Sequence, residues 1–303
     1  MQAVWMLLSS FLFATMGVCV KYASAHFNSA ELVFYRGLLG IAFMAAYAHA
    51  RGTSLRTRFP AMHAWRSVIG VVSLSAWFYA IAHLPLATAM TLNYMSSVWI
   101  AAFLVGGALM LGRAGQKGPS QGPLVLAILA SFAGVVMLLR PAMDQDQTFA
   151  GLIGLMSGLG AAFAYMQIMA ISRMGEPETR TVFYFAVGTA VAGALGMLFV
   201  GVSPWNWQHA LWLPPLGILA SLAQLCMTKA YSMSTRSDGH GSTLMVANLQ
   251  YSGIVFAALY SLVLFGDNIP LMGWAGMALI ITSAIAATVL RARAAPNAPA
   301  EEH

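Results

Sequence analysis

Residues 33–40 read VFYRGLLG, and residues 182–188 read VFYFAVG. Each copy opens a long apolar run, and how the two runs relate decides the fold. A hydrocarbon core of about 30 Å is crossed by roughly 20 apolar residues in helical form. Working outward from the two copies, with charged or Gly/Pro-containing breaks as boundaries, the chain divides into ten such spans. They cover residues 2–24, 29–50, 63–84, 86–110, 122–140, 150–172, 178–200, 209–234, 241–265 and 270–290. The tightest break is HLPLA at 83–87, where Pro85 stops one helix and restricts the residue before it. If that break were false, nine spans would remain.

Composition agrees with a membrane protein. Of 303 residues, 59% are hydrophobic and only 8% charged, against about 25% charged in an ordinary soluble domain. The net charge of +6 does not mark nucleic-acid binding, because the basic residues fall in short breaks between apolar runs. With the N-terminus inside, the inner loops and tail hold Arg51, Arg56, Arg58, Arg66, Arg113, Lys117, Arg173, Arg180, Arg236, Arg291 and Arg293, whereas the outer loops hold only Arg140. That asymmetry is what the positive-inside rule predicts for ten spans with both ends cytoplasmic. Lys21, Arg36 and Lys229 lie within spans. MQAVWMLLSS at the start has no basic n-region or cleavage site, so it is expected to be a retained first helix. The final RARAAPNAPAEEH, residues 291–303, has the composition of a disordered tail.

The two VFY copies fall in spans 2 and 7. Asn93 followed by Ser97 in span 4 matches Asn248 followed by Ser252 in span 9. These coincidences divide the chain five plus five, residues 1–140 and 150–290, about a junction at RPAMDQDQTFA. Five is odd, so the second half must cross upside down relative to the first. Inverted repeats of this kind are a common construction of secondary transporters. The expected fold is therefore an all-α integral membrane protein of ten transmembrane helices in two inverted five-helix repeats.

Arg36 early in span 2, the short turn between spans 3 and 4, and the Gly266–Asp267 pair closing span 9 resemble the drug/metabolite transporter superfamily of the EamA type. The resemblance runs over roughly residues 3–290 and is most like bacterial aromatic amino-acid exporters. It implies a multi-pass inner-membrane exporter of small solutes. Span 4 departs from the family pattern, reading NYMSSVW without a mid-span proline and closing on Gly112 and Arg113, so no role is carried to those positions.

Polar side chains in a bilayer face the bundle interior or a water-filled cavity. Asn93 and Ser97 share a helix face, as do Asn248 and Ser252; across a pseudo-two-fold axis they could bind one ligand, or simply hydrogen-bond helices together. Lys229 could meet a substrate carboxylate, or its long stem could snorkel to the headgroups. Tyr79 could add a hydroxyl and a ring. The aromatics inside spans, among them Trp77, Phe78, Tyr94 and Tyr165, suit either packing or the walls of a site for a solute with an apolar side chain. Glu31 and Arg36 lie toward the outer end of span 2, Arg36 about 10 Å deep at 1.5 Å per residue. Phe185 takes the equivalent place in span 7. Arg36 reads first as an anchor that hydrogen-bonds helix ends or a neighbouring span, and second as a gate element.

Other chemistries find no support in the sequence. Cys19 and Cys226 lie in apolar spans as buried hydrophobes, and no cofactor, metal or catalytic residue is expected. GxSxG, HExxH and Walker A motifs are missing, and GLGAAF at 158–163 lies inside a span with no strand before it. An intramembrane enzyme or a channel are the alternatives to a transporter. The carboxylates sit at span ends, in loops or in the tail, which favours facilitated diffusion or exchange over proton coupling. The expected partners are the lipid bilayer and a small-molecule substrate, an amino acid or metabolite.

Overall fold

A computed structural model of the chain describes residues 2–96, 98–99, 122–139, 145–236, 246 and 249–294. Among these residues the structure is all helical, with ten helices of nine residues or more and one short turn of helix. In chain order they are α1 (Gln2–Ala23), α2 (Ser29–Ala50), α3 (Pro60–His83), α4 (Leu86–Tyr94), α5 (Gly122–Leu139), α6 (Gln145–Arg173), α7 (Glu178–Val200), α8 (Trp207–Ala210), α9 (Leu213–Arg236), α10 (Ser252–Leu264) and α11 (Leu271–Ala294). The short one is α8. Among the described residues six segments are long and apolar enough to cross a membrane. The sides turned away from the bundle are apolar too: Phe199 is 89% exposed and Leu198 79%, as lipid-facing positions require.

Local chemistry sets the helix ends. Asn28 and Glu31 form a reciprocal capping box at the start of α2, satisfying two orphan N–H groups. Pro60 opens α3, where its missing N–H costs nothing. Pro85, with φ −53° and ψ 139°, stands between α3 and α4, so the tight break is real. Helix α11 continues to Ala294, beyond the expected end of its span at 290.

The helices pack as four long pairs: α1 along α9, α2 along α7, α3 along α6, and α5 along α11. Helix α4 packs against α10 and α6, and α10 also against α1. Small residues permit the close crossings. A Cβ on Gly37 would meet the backbone of Ala186 and Ala190, and one on Gly193 would meet the backbone of Phe34, so α2 and α7 touch nearly backbone to backbone. Gly158 plays the same part between α6 and α4, against the carbonyls of Leu92 and Asn93.

Candidate functional site

Helices α1, α2, α3, α4, α6, α7 and α9 meet around one interior cavity of about 50 Å³. Its charged lining is Arg36 from α2 and Arg66 from α3, only 5% and 3% exposed. Both lie against the Phe185 ring of α7, the guanidinium carbon of Arg36 5.2 Å and that of Arg66 4.1 Å from its centre. Arg66 was expected in a cytoplasmic loop. It lies inside α3, and one turn further on Gly70 makes room for it: a Cβ there would strike Arg66 Nη1 and come within 2.8 Å of the Phe185 ring. The hydrogen bonds expected of Arg36 as an anchor are not found among the described residues: its Nε is buried without a partner there, as are Nε and Nη1 of Arg66. None of the ion pairs among the described residues includes either arginine.

Asn93, buried on α4, lines the same cavity. It donates through Nδ2 to Ser157 Oγ at 3.1 Å, and Ser73 on α3 donates to the Ser157 carbonyl at 2.7 Å. Gln224, Trp77 and Tyr165 complete the polar lining. The indole N–H of Trp77 is buried and unpartnered. The Tyr165 hydroxyl accepts from Gln250 Nε2 at 2.8 Å, which leaves its own proton free to donate.

The remaining predicted residues lie elsewhere. Lys229 sits 4.0 Å over the Trp5 ring, a cation–π contact between α9 and α1. Tyr79 stacks on His83 at 4.1 Å. Ser252 begins α10 and donates to the Leu249 carbonyl at 2.7 Å. None of these three lines the cavity. Ser97 and Asn248 fall outside the described residues. Arg66, Ser157 and Ser73 were not anticipated; the spacing that could have flagged Arg66 is its position four residues before Gly70 on one helix face.

Two clusters tie the bundle together at opposite ends of α2 and α7. Glu31, fully buried, accepts from the Asn28 N–H at 2.8 Å, from the Ser203 N–H at 2.9 Å and from the Ser203 hydroxyl at 2.7 Å. Gly201, at φ 85°, ends α7 and turns the chain so that Ser203 reaches Glu31, a conformation glycine adopts without strain. Nearby, Lys21 lies 3.6 Å from Asp267 and donates to the Leu84 carbonyl. At the other end, Glu176 accepts from the Arg58 N–H at 3.5 Å and from Arg180 Nη1 at 3.4 Å, and lies 3.5 Å from His63 Nε2. Arg180 also donates to the Ser54 carbonyl at 2.7 Å. Burial pushes the Glu176 carboxyl up, but the Arg58 N–H, the Arg180 charge and His63 outweigh it and hold the group below the usual carboxylate range.

Residues 1–140 match the EamA-like transporter family. The pseudopaline exporter CntI of Pseudomonas aeruginosa is 30% identical over 279 residues, 92% of this chain and 93% of the exporter. A riboflavin transporter of Rhizobium johnstonii is 27% identical, covering 76% of this chain and 74% of its own length. A solved crystal structure superposes with a TM-score of 0.64 at 20% identity, over 96% of this chain and 97% of the other, a likeness of fold alone. The chain is a multi-pass membrane protein that belongs to the EamA-like transporter family.

Proposed function

We propose that the chain is a secondary transporter that exports amino acids or related small metabolites across the inner membrane, by alternating access between inverted halves at 1–140 and 150–290. One observation carries this reading. The cavity is walled by helices from both halves, α1 to α4 and α6, α7 and α9, so any movement of one half against the other remodels it. At about 50 Å³ it is far smaller than the roughly 300 Å³ or more of a pocket that encloses a small ligand. A solute enters only when the halves part.

The helix pairing supports the inverted repeat. Matching α1 to α6, α2 to α7, α3 to α9, α4 to α10 and α5 to α11 leaves the principal contacts unchanged: α1 with α9 exchanges for α6 with α3, and the pairs α2 with α7, α4 with α10 and α5 with α11 map onto themselves. We read the clusters at Glu31 and Glu176, each of which joins one half to the other, as the outer and inner gates, with both termini cytoplasmic. The pseudopaline exporter supports outward transport of a metabolite.

Counterflow in proteoliposomes tests the reading. Preloaded amino acids, tried as a labelled panel, accelerate uptake of at least one labelled member. Unsaturable flux that ignores solute on the far side identifies a channel and sinks it.

A further inference from the structure

Among the described residues the central cavity is lined by two buried arginines and by no acid. A guanidinium stays charged at any physiological pH, and an ion inside a membrane protein is costly unless it is paired. The carboxylates described above do have partners: Glu31 with Asn28 and Ser203, Glu176 with Arg58, His63 and Arg180, and Asp267 with Lys21. Arg36 and Arg66 share one phenyl ring, whose face gives only partial compensation. Their free N–H groups are joined by the unpartnered Trp77 indole N–H and the Tyr165 hydroxyl proton. Among the described lining residues donors thus exceed acceptors, and the side-chain acceptors are neutral: the amide oxygens of Asn93 and Gln224 and the hydroxyls of Ser73 and Tyr165.

The geometry points to an anion site, with the missing countercharge supplied by the solute. We infer that the transported molecule is net anionic, carrying two carboxylates or more carboxylates than ammonium groups, one bound by Arg36 and one by Arg66. Its apolar part lies along Phe13, Trp77 and Phe185, which also line the cavity. A zwitterionic amino acid leaves one guanidinium unpaired and its own ammonium without a carboxylate, so it is the poorer fit. This assignment rests on the transport reading above and narrows its substrate class.

Four phenyl compounds of graded charge test it: phenethylamine, L-phenylalanine, 3-phenylpropionate and phenylsuccinate. Binding to the purified full chain is followed by Trp fluorescence and by thermal shift, and counterflow of labelled phenylsuccinate and phenylalanine is followed in proteoliposomes. Affinity rises along the series, with phenylsuccinate at least about tenfold tighter than phenylalanine, the gain expected from one further charge-assisted contact. Arg36→Gln and Arg66→Gln each lose roughly tenfold for phenylsuccinate and less for phenylalanine, whose single carboxylate can pair with the guanidinium that remains, and Arg66→Lys, which keeps the charge, loses less. Equal affinity for the neutral and dianionic compounds, or glutamine variants that keep the charge ranking, overturns the anion site. A charge ranking without counterflow keeps the anion site and removes the transport reading; counterflow of phenylalanine without a charge ranking does the reverse.

Discussion

Glu31 and Arg36 stand five residues apart on one helix and meet opposite fates. Glu31 is fully buried and saturated, its carboxylate held by two backbone N–H groups and a hydroxyl. Arg36 is nearly as buried, yet among the described residues its charge is met by an aromatic ring and by no carboxylate. The same contrast holds among the groups described above: the carboxylates Glu31, Glu176 and Asp267 toward the helix ends are matched within the protein, and the two arginines at the centre are left open. Charge that serves the fold is paired in the fold; charge left unpaired at an internal cavity is reserved for something that arrives.

Substitution in the two regions, at Glu31 and at Arg66 beside Arg36, should therefore act in opposite directions. Glu31→Ala removes the acceptor for three donors and half of a capping box, and is expected to cost about 3 kcal/mol of stability, read as a lowered unfolding midpoint in mixed micelles. Arg66→Gln removes an uncompensated buried charge and should leave stability unchanged or raise it by about 1 kcal/mol. If Arg66→Gln destabilises as much as Glu31→Ala, the arginine is structural and the contrast between end and centre fails.

The Glu176 cluster sharpens the comparison through pH. The folded carboxyl lies below its unfolded value, so its contribution is fully present above the unfolded value and is lost as pH falls through the lowered folded one. Acidification below the ordinary carboxylate range should loosen the contacts with Arg180, His63 and the Arg58 N–H, worth about 1 kcal/mol. Glu176→Gln should abolish that dependence, measured as the unfolding midpoint in mixed micelles across the acid pH range. An unchanged profile in the variant would show that this end is held by something else.

Much of this frame was legible in the sequence. Bilayer thickness fixes helix length, and breaks in an apolar chain are conspicuous, so α2 at Ser29–Ala50 and α7 at Glu178–Val200 fall on the boundaries read from residues alone. Pro85 leaves the ladder no way through. The site was legible only in part. Asn93 declares itself as a polar group in an apolar run, but Arg66, six residues past Pro60, has the position of an ordinary inside-facing charge. What draws it inward is the space over Gly70, which the four-residue spacing hints at, and Phe185 on another helix, which no spacing reveals. For Lys229 the long stem fits the cavity or the helix surface equally well, and the deciding partner, Trp5, is on α1.

Lys229 gives the smallest effect and a clean control. Its ammonium rests on Trp5 outside the cavity, where a partly exposed cation–π contact contributes about 0.5–1 kcal/mol. Lys229→Met keeps the stem and removes the charge, so it should cost less than about 1 kcal/mol of stability and leave the affinity for phenylsuccinate within twofold or so, because charge outside the cavity contacts no carboxylate there. An affinity loss as large as that of Arg66→Gln would mean that α9 turns Lys229 inward in the binding state. The cavity would then carry three cations rather than two, and the boundary between matched and open charge would run through α9.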